Sequence, residues 1–205
     1  MRKIDREAGE TVSMEAENEK QEDNMKSFIR ELIPYVIILG VVILIRVFVL
    51  INASIPSSSM TDTIACPSRV MGLKCTYWFS EPQRGDIVVF WAPDLPDTRY
   101  VKRIIAVAGD TLQIEGGMVY LNGVELEEPY IREPMRPEDF GPVTVPEGSY
   151  FCMGDNRNGS HDARYWENTW VTNDMMIGKV YFSYWPLSEI RWLANTDGDT
   201  FAEFQ

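Results

Sequence analysis

The chain has 205 residues and is acidic, with 31 Asp and Glu against 19 Lys and Arg and a net charge of −12. A polyanion-binding protein carries the opposite sign, which argues against a nucleic-acid partner. Three cysteines are too few for a disulfide framework and one histidine too few for a multi-histidine metal site, so no metal or other cofactor is expected.

In chain order, residues 1–31 hold six basic and nine acidic residues and few apolar ones. Such a segment cannot bury enough surface to offset its ordering entropy, and a disordered acidic tail is expected. Leu32 to Ile51 is then twenty residues with one charge, Arg46. As a helix it would span roughly 30 Å, one hydrocarbon thickness, with Arg46 near an end where its stem can snorkel. The uncharged part, Leu32–Ile45, is only fourteen residues, so a buried core helix is the competing reading. Pro34 falls in the first turn of this span, where a missing N–H costs little. Lys20, Lys26 and Arg30 precede it closely, and only Arg69 lies in the twenty residues after it. The positive-inside rule therefore predicts a cytoplasmic N-terminus and an extracytoplasmic remainder. Asn52-Ala-Ser-Ile-Pro56 makes a weak cleavage site, which favours an uncleaved, single-pass anchor in the lipid bilayer over a removed signal peptide.

Residues 52–205 carry 12 basic and 22 acidic residues and are enough for a real core. Short apolar runs bounded by turn signals recur at Asp86–Trp91, Tyr100–Ala108, Thr111–Glu115, Met118–Asn122, Ser149–Met153 and Ile177–Tyr184. Asn122-Gly123 marks a two-residue hairpin. Long segments of 3.6-residue periodicity are absent, so the fold class is mainly β behind one N-terminal transmembrane helix. Glu125–Pro146, with five prolines, reads as an extended loop or insertion.

Three clusters could carry chemistry. The first is Ile55-Pro-Ser-Ser-Ser-Met60, which on its own reads equally as a linker. A serine hydroxyl is a poor nucleophile without a positioned base. His161 lies between Ser160 and Asp162, and adjacent side chains diverge, so Asp162 is badly placed to orient it in a Ser-His-Asp triad. A neutral lysine could serve instead if burial depressed its pKa from about 10.4. Lys102, the second candidate, lies in the apolar run Tyr100–Ala108. By strand alternation Lys102 and Arg103 face opposite ways, so one cation is drawn toward the core unless both ends are solvated. The third cluster, Met153–Arg164, holds two each of Gly, Asn, Asp and Arg. It suits carboxylate–guanidinium bracing of a site, or a surface turn with charges in water.

These clusters, their order and the upstream anchor resemble type I signal peptidase, the bacterial leader peptidase. The likeness covers nearly all of residues 30–186. It rests on Pro56-Ser-Ser-Ser-Met60, Arg84-Gly-Asp-Ile-Val-Val-Phe90, Tyr100-Val-Lys-Arg-Ile-Ile-Ala-Val-Ala-Gly-Asp110, Gly154-Asp-Asn-Arg157 with Ser160-His-Asp162 and Arg164, and Gly178-Lys179 leading to Trp185-Pro186. The resemblance implies a domain of coiled antiparallel β-sheets with an apolar surface resting on the membrane. It implies a membrane-bound serine endopeptidase that removes signal peptides from secretory preproteins after Ala-x-Ala, acting as a monomer. Ser59 would be the nucleophile and Lys102 the general base. Ser57 and the Ser59 N–H would form the oxyanion hole. Ser160 would orient the Lys102 amine, and Asp162 with Arg164 would brace the loop. Ile55, Pro56, Met60, Tyr100 and Val101 would shape shallow substrate pockets.

Some positions depart from the family pattern: Asp62 stands where the family has proline, Ala163 where serine is common and Glu167 where glycine is usual. Cys66 and Cys75 could pair outside the cell, leaving Cys152 a lone buried thiol. Competing readings are a sortase-like enzyme using Cys152, His161 and Arg164, whose order is wrong for that class, a self-cleaving repressor, which needs a DNA-binding domain instead of an anchor, and an inactive homologue that binds preproteins or membrane partners without cutting.

Overall fold

The structure, a computed structural model, describes residues 2–61, 63–194 and 200–204. Asp62, the departure nearest the serine cluster, lies outside the described residues. The chain divides into two compact units, one ending at Val47 and the second beginning at Phe48.

The first unit is formed by helix α1, Arg2–Phe48, whose last residue falls in the second unit. Helix therefore runs through residues 2–31, where sequence led us to expect a disordered tail. That stretch has no proline and holds seven Glu, three Lys and three Arg, all residues of high helix propensity. Pro34 consequently lies inside the helix instead of at its first turn. Met25–Phe48 is long and apolar enough to cross a membrane, and its large apolar side chains are exposed. Arg46 occupies the last turn, where a cation meets the negative end of the helix dipole favourably. The helix stops short of the expected Ile51 because Leu50 and Ile51 already belong to a strand.

Twelve strands are found among the described residues: β1 Leu50–Ile55, β2 Ser68–Leu73, β3 Ile87–Ala92, β4 Leu95–Val107, β5 Thr111–Glu115, β6 Met118–Leu121, β7 Val124–Glu125, β8 Phe140–Thr144, β9 Ser149–Met153, β10 Val171–Thr172, β11 Met176–Trp185 and β12 Arg191–Trp192. The larger sheet runs β1-β2-β11-β3-β4-β9-β10, with β12 beside β11, and the smaller runs β7-β6-β5-β8. All pairings are antiparallel, and the unit is mainly β as expected.

Local chemistry explains the elements. In β1, Ile51, Ala53 and Ile55 are buried while Asn52 and Ser54 are exposed, the alternation of a half-buried strand. Asn122, at φ 54°, and Gly123, at φ 83°, make the β6–β7 hairpin turn, which needs left-handed backbone at both positions. Gly72 admits β11 at close range, since a Cβ there would lie 2.3 Å from the Lys179 carbonyl oxygen. The Pro-rich segment is not a free excursion: it contributes β8, and Leu126, Tyr130 and Met135 are buried.

β4 sits between two apolar clusters. One contains Val88, Phe90, Ile104, Phe151 and Cys152, and the other Ile55, Met60, Ile64, Val89 and Val101. With both faces of this strand covered, alternation no longer sends one residue to water. The three cysteines are free: Cys66 is exposed, Cys75 half-buried and Cys152 buried.

Candidate active site

β1 delivers the chain through Pro56 into a 3-10 turn, Ser58–Met60. Met60 is fully buried in the second cluster and fastens the turn, leaving Ser59 buried and Ser57 and Ser58 exposed. Ser57 Oγ and Ser59 Oγ are 3.4 Å apart, in hydrogen-bond contact.

Lys102 enters from β4, paired with Val88 on β3. Its side chain is 3% exposed, and Nζ donates to Ser160 Oγ at 2.9 Å. Burial is the largest influence on the amine and lowers its pKa. Asp162 opposes this, Arg164 adds to the lowering and Asp155 opposes, and the result is about 8.

Ser160 stands on the loop after β9. Asp162 accepts from the Gly154 N–H at 3.0 Å and from Arg164 Nε and Nη2 at 2.8 and 2.9 Å. Burial alone would raise the Asp162 carboxyl. The Arg164 hydrogen bonds and charge, helped by the Ser160 hydroxyl and the Gly154 N–H, hold it below the ordinary carboxylate value. Arg164 reaches on to the Arg157 carbonyl at 2.8 Å and to Glu138 at 2.5 Å. Gly154 is a glycine for lack of room: a Cβ would lie 2.3 Å from Ser160 Oγ and 2.5 Å from the Ser59 carbonyl oxygen.

A second buried network underlies the same loop. Arg103 Nε and Nη2 donate to the two oxygens of Asp155 at 2.9 and 2.8 Å. Both side chains are wholly inaccessible. Thr63, just past the serine turn, also donates to Asp155. The Asp155 N–H meets Met60 Sδ at 3.4 Å, and the Asn156 N–H donates to the Ser59 carbonyl at 3.1 Å.

A cavity of about 540 Å³ brings most of these groups to one surface. Ser57, Ser59 and Lys102 line it, and Ile55, Pro56, Tyr100 and Val101 form walls. Of the residues singled out from sequence, Met60 is not in the lining but in the core. Asp162 and Arg164 stand behind Ser160 as braces. His161 is exposed at the cavity, its ring stacked 6.0 Å from that of Tyr165. Sequence reasoning missed Thr63, and it quoted Asp155 and Asn156 within the Gly154–Arg157 motif without giving either a role. They are chemically ordinary residues whose importance comes from contacts across the fold.

A serine hydroxyl and a buried lysine amine at one cavity are the components of a serine peptidase that dispenses with histidine. The family model for signal peptidase, peptidase S26, matches residues 28–185. A "Probable signal peptidase I-1" from Synechocystis sp. is 38% identical over 173 residues, 80% of this chain and 86% of the relative. The "Signal peptidase I" of Bacillus licheniformis is 35% identical over 183 residues, 84% of this chain and 97% of the relative. A "Probable signal peptidase I-2" of Synechocystis is 38% identical over 151 residues, 71% of this chain and 68% of the relative. The chain belongs to the signal peptidase family, peptidase S26. It is thus a serine peptidase, and its apolar N-terminal helix fits a membrane-anchored protein.

Proposed function

We propose that the protein removes N-terminal signal peptides from secretory preproteins, cutting after small residues in an Ala-x-Ala pattern, with Ser59 as nucleophile and Lys102 as general base. The observation that carries this reading is the Lys102 amine, buried, brought to a pKa of about 8 and sharing a cavity with Ser59. Near pH 8 such an amine is about half neutral and can accept a proton.

In the first step Ser59 Oγ attacks the scissile carbonyl carbon while Lys102 Nζ takes its proton. The carbonyl electron pair moves to oxygen, where the Ser59 N–H and the Ser57 hydroxyl stabilise it; such a donor is commonly worth about 2.7–4 kcal/mol. Collapse expels the amine of the mature protein, which receives the proton from Lys102. Water, deprotonated by Lys102, then attacks the acyl ester; the ester C–O bond breaks, Ser59 Oγ takes the proton back from Lys102, and the signal peptide leaves with its new carboxyl terminus. Ser160 holds the amine, and Asp162 and Arg164 hold the loop bearing Ser160. Ile55, Pro56, Tyr100 and Val101, which line the cavity with Ser59, would form the walls that receive the small side chains. The anchor in the bilayer, with its N-terminus cytoplasmic, would hold the site at the outer face, where the cleavage sites of exported chains emerge.

The test is cleavage of a preprotein bearing an Ala-x-Ala site, in detergent with EDTA, by wild type, Ser59→Ala and Lys102→Ala. Cutting at that site by wild type alone is the expected result. An intact preprotein bound by wild type would replace this reading with a non-cleaving binder.

A further inference from the structure

Ser59 is held across the fold by one residue that family membership and the proposed chemistry leave without a role. Asn156 Nδ2 donates to the Ser58 carbonyl oxygen at 3.0 Å, and the Asn156 N–H donates to the Ser59 carbonyl at 3.1 Å. The two successive peptide groups flanking Ser59 are thus both gripped by a residue 98 positions away from Ser58.

We propose that Asn156 is a positioning residue that aims the Ser59 N–H at the oxyanion; the inference rests on the Ser59 reading above. The reason is peptide geometry. The Ser58 carbonyl and the Ser59 N–H belong to one planar trans unit and point in opposite directions. Fixing the carbonyl oxygen therefore fixes the direction of the N–H. The Ser58 oxygen also accepts from the Thr61 N–H at 3.0 Å and Thr61 Oγ1 at 2.6 Å, but these donors adjoin the turn and move with it. Asn156 belongs to the loop that carries Ser160, so its grip ties the turn to the element that holds the Lys102 amine.

A second observation points the same way. A Cβ added to Gly159 would lie 2.7 Å from Asn156 Nδ2 and 3.1 Å from both Cγ and Oδ1. The Asn156 carboxamide fills the space a side chain at position 159 would need, and the Gly159 N–H returns to the Asn156 carbonyl at 3.0 Å. Gly159 thus keeps the amide directed at the serine turn.

The test compares Asn156→Ala, Asn156→Asp, Gly159→Ala and the double variant Asn156→Ala/Gly159→Ala in the full chain. Aspartate keeps the size but replaces the donor by an oxygen facing the Ser58 carbonyl. Each single change should lower kcat about 10- to 100-fold with KM nearly unchanged, the pattern of a misdirected oxyanion donor. Affinity for a peptide aldehyde ending in alaninal, which forms a tetrahedral adduct on serine, should fall by the same factor. The double variant should be no worse than Asn156→Ala alone. Wild-type kcat in both Asn156 variants, or losses that track melting temperature while aldehyde affinity is kept, would overturn the proposal. Ser59→Ala is read separately: if it still cuts, the nucleophile assignment fails, whatever the Asn156 variants do.

Discussion

Lys102 and Arg103, neighbours on β4, are both buried, but they are treated in opposite ways. Arg103 is clasped by the two oxygens of Asp155, whereas the Lys102 nitrogen donates to a neutral hydroxyl, that of Ser160, and lies 5.9 Å from the centre of the Tyr100 ring. A cation paired with a carboxylate stays charged. One placed against a neutral hydroxyl in an apolar site is pushed toward losing its proton. The same strand thereby supplies a permanent structural charge and an amine available for proton transfer.

The pH dependence follows from that difference. With Lys102 at about 8, only its neutral fraction can act as base, about a tenth of the molecules at pH 7. We expect kcat/KM to fall about tenfold per pH unit below a midpoint near 8 and to level off above it. A pH–rate profile on a peptide substrate checks this. A profile flat across that range would remove Lys102 from the role of base.

Stability should move opposite to activity when Lys102 is removed. Its pKa in the folded state, about 8, lies below its ordinary 10.5. Below pH 8 the lysine is charged in both folded and unfolded chains, and the burial penalty is fully present. Between about 8 and 10.5 the folded state has released its proton first, so the penalty fades and stability rises with pH. Lys102→Met should therefore stabilise the protein at pH 7 by about 2–3 kcal/mol while abolishing cleavage. Urea melts of the detergent-solubilised chain at pH 7 and pH 10.5 measure it, and the gain should shrink at the higher pH.

Gly154→Ala should be far more harmful than its size suggests. The added methyl would press on Ser160 Oγ and on the Ser59 backbone oxygen, and the backbone oxygen cannot swing away. Displacement of both groups predicts a loss in kcat/KM of about 100-fold. Ordinary steady-state kinetics decides it, and activity within threefold of wild type would rule out this crowding.

Breaking the Arg103–Asp155 pair should unfold rather than retune the enzyme. Asp155→Asn leaves a guanidinium with no exposure and no counter-charge from that side, and should cost about 3–5 kcal/mol. Arg103→Met with Asp155→Leu should recover most of that loss. Thermal melts of the single and double variants give the comparison.

Much of the β unit was legible because its strands carry apolar runs. β5 and β9 fall where those runs do, β3, β4, β6 and β11 lie within a few residues of them, and Asn122-Gly123 makes its turn. β1 was hidden because Leu50–Ile51 continues the apolar helix without a break. β2 was hidden because Ser68 and Gly72 are buried without being hydrophobic. β8 lies inside a Pro-rich stretch, where its pairing to β5 overrides composition. Alternation along β4 predicted that one cation would turn inward. Both did, because clusters on either side cover the strand. Lys102 stood out as a cation in an apolar strand, but Ser59 and Ser160 gained roles only through resemblance to a family, since a lone serine looks like a linker. Asn156 was in view within the Gly154–Arg157 motif, but its role was not, because that lies in a hydrogen bond across 98 residues.

That separation in sequence has a consequence for how the protein is made. Lys102 and Ser160 are 58 residues apart, and Ser58 and Asn156 are 98 apart. A ribosome releases the serine turn long before the segment that orients it exists. Under the assignment proposed here, an incomplete chain carries an inert alcohol and a fully protonated amine, and becomes a protease only when β9 closes against β4. Completing the sheet then does the work that removal of an inhibitory pro-segment does elsewhere, so the nascent enzyme cannot attack the exported chains, or the copies of itself, among which it is born.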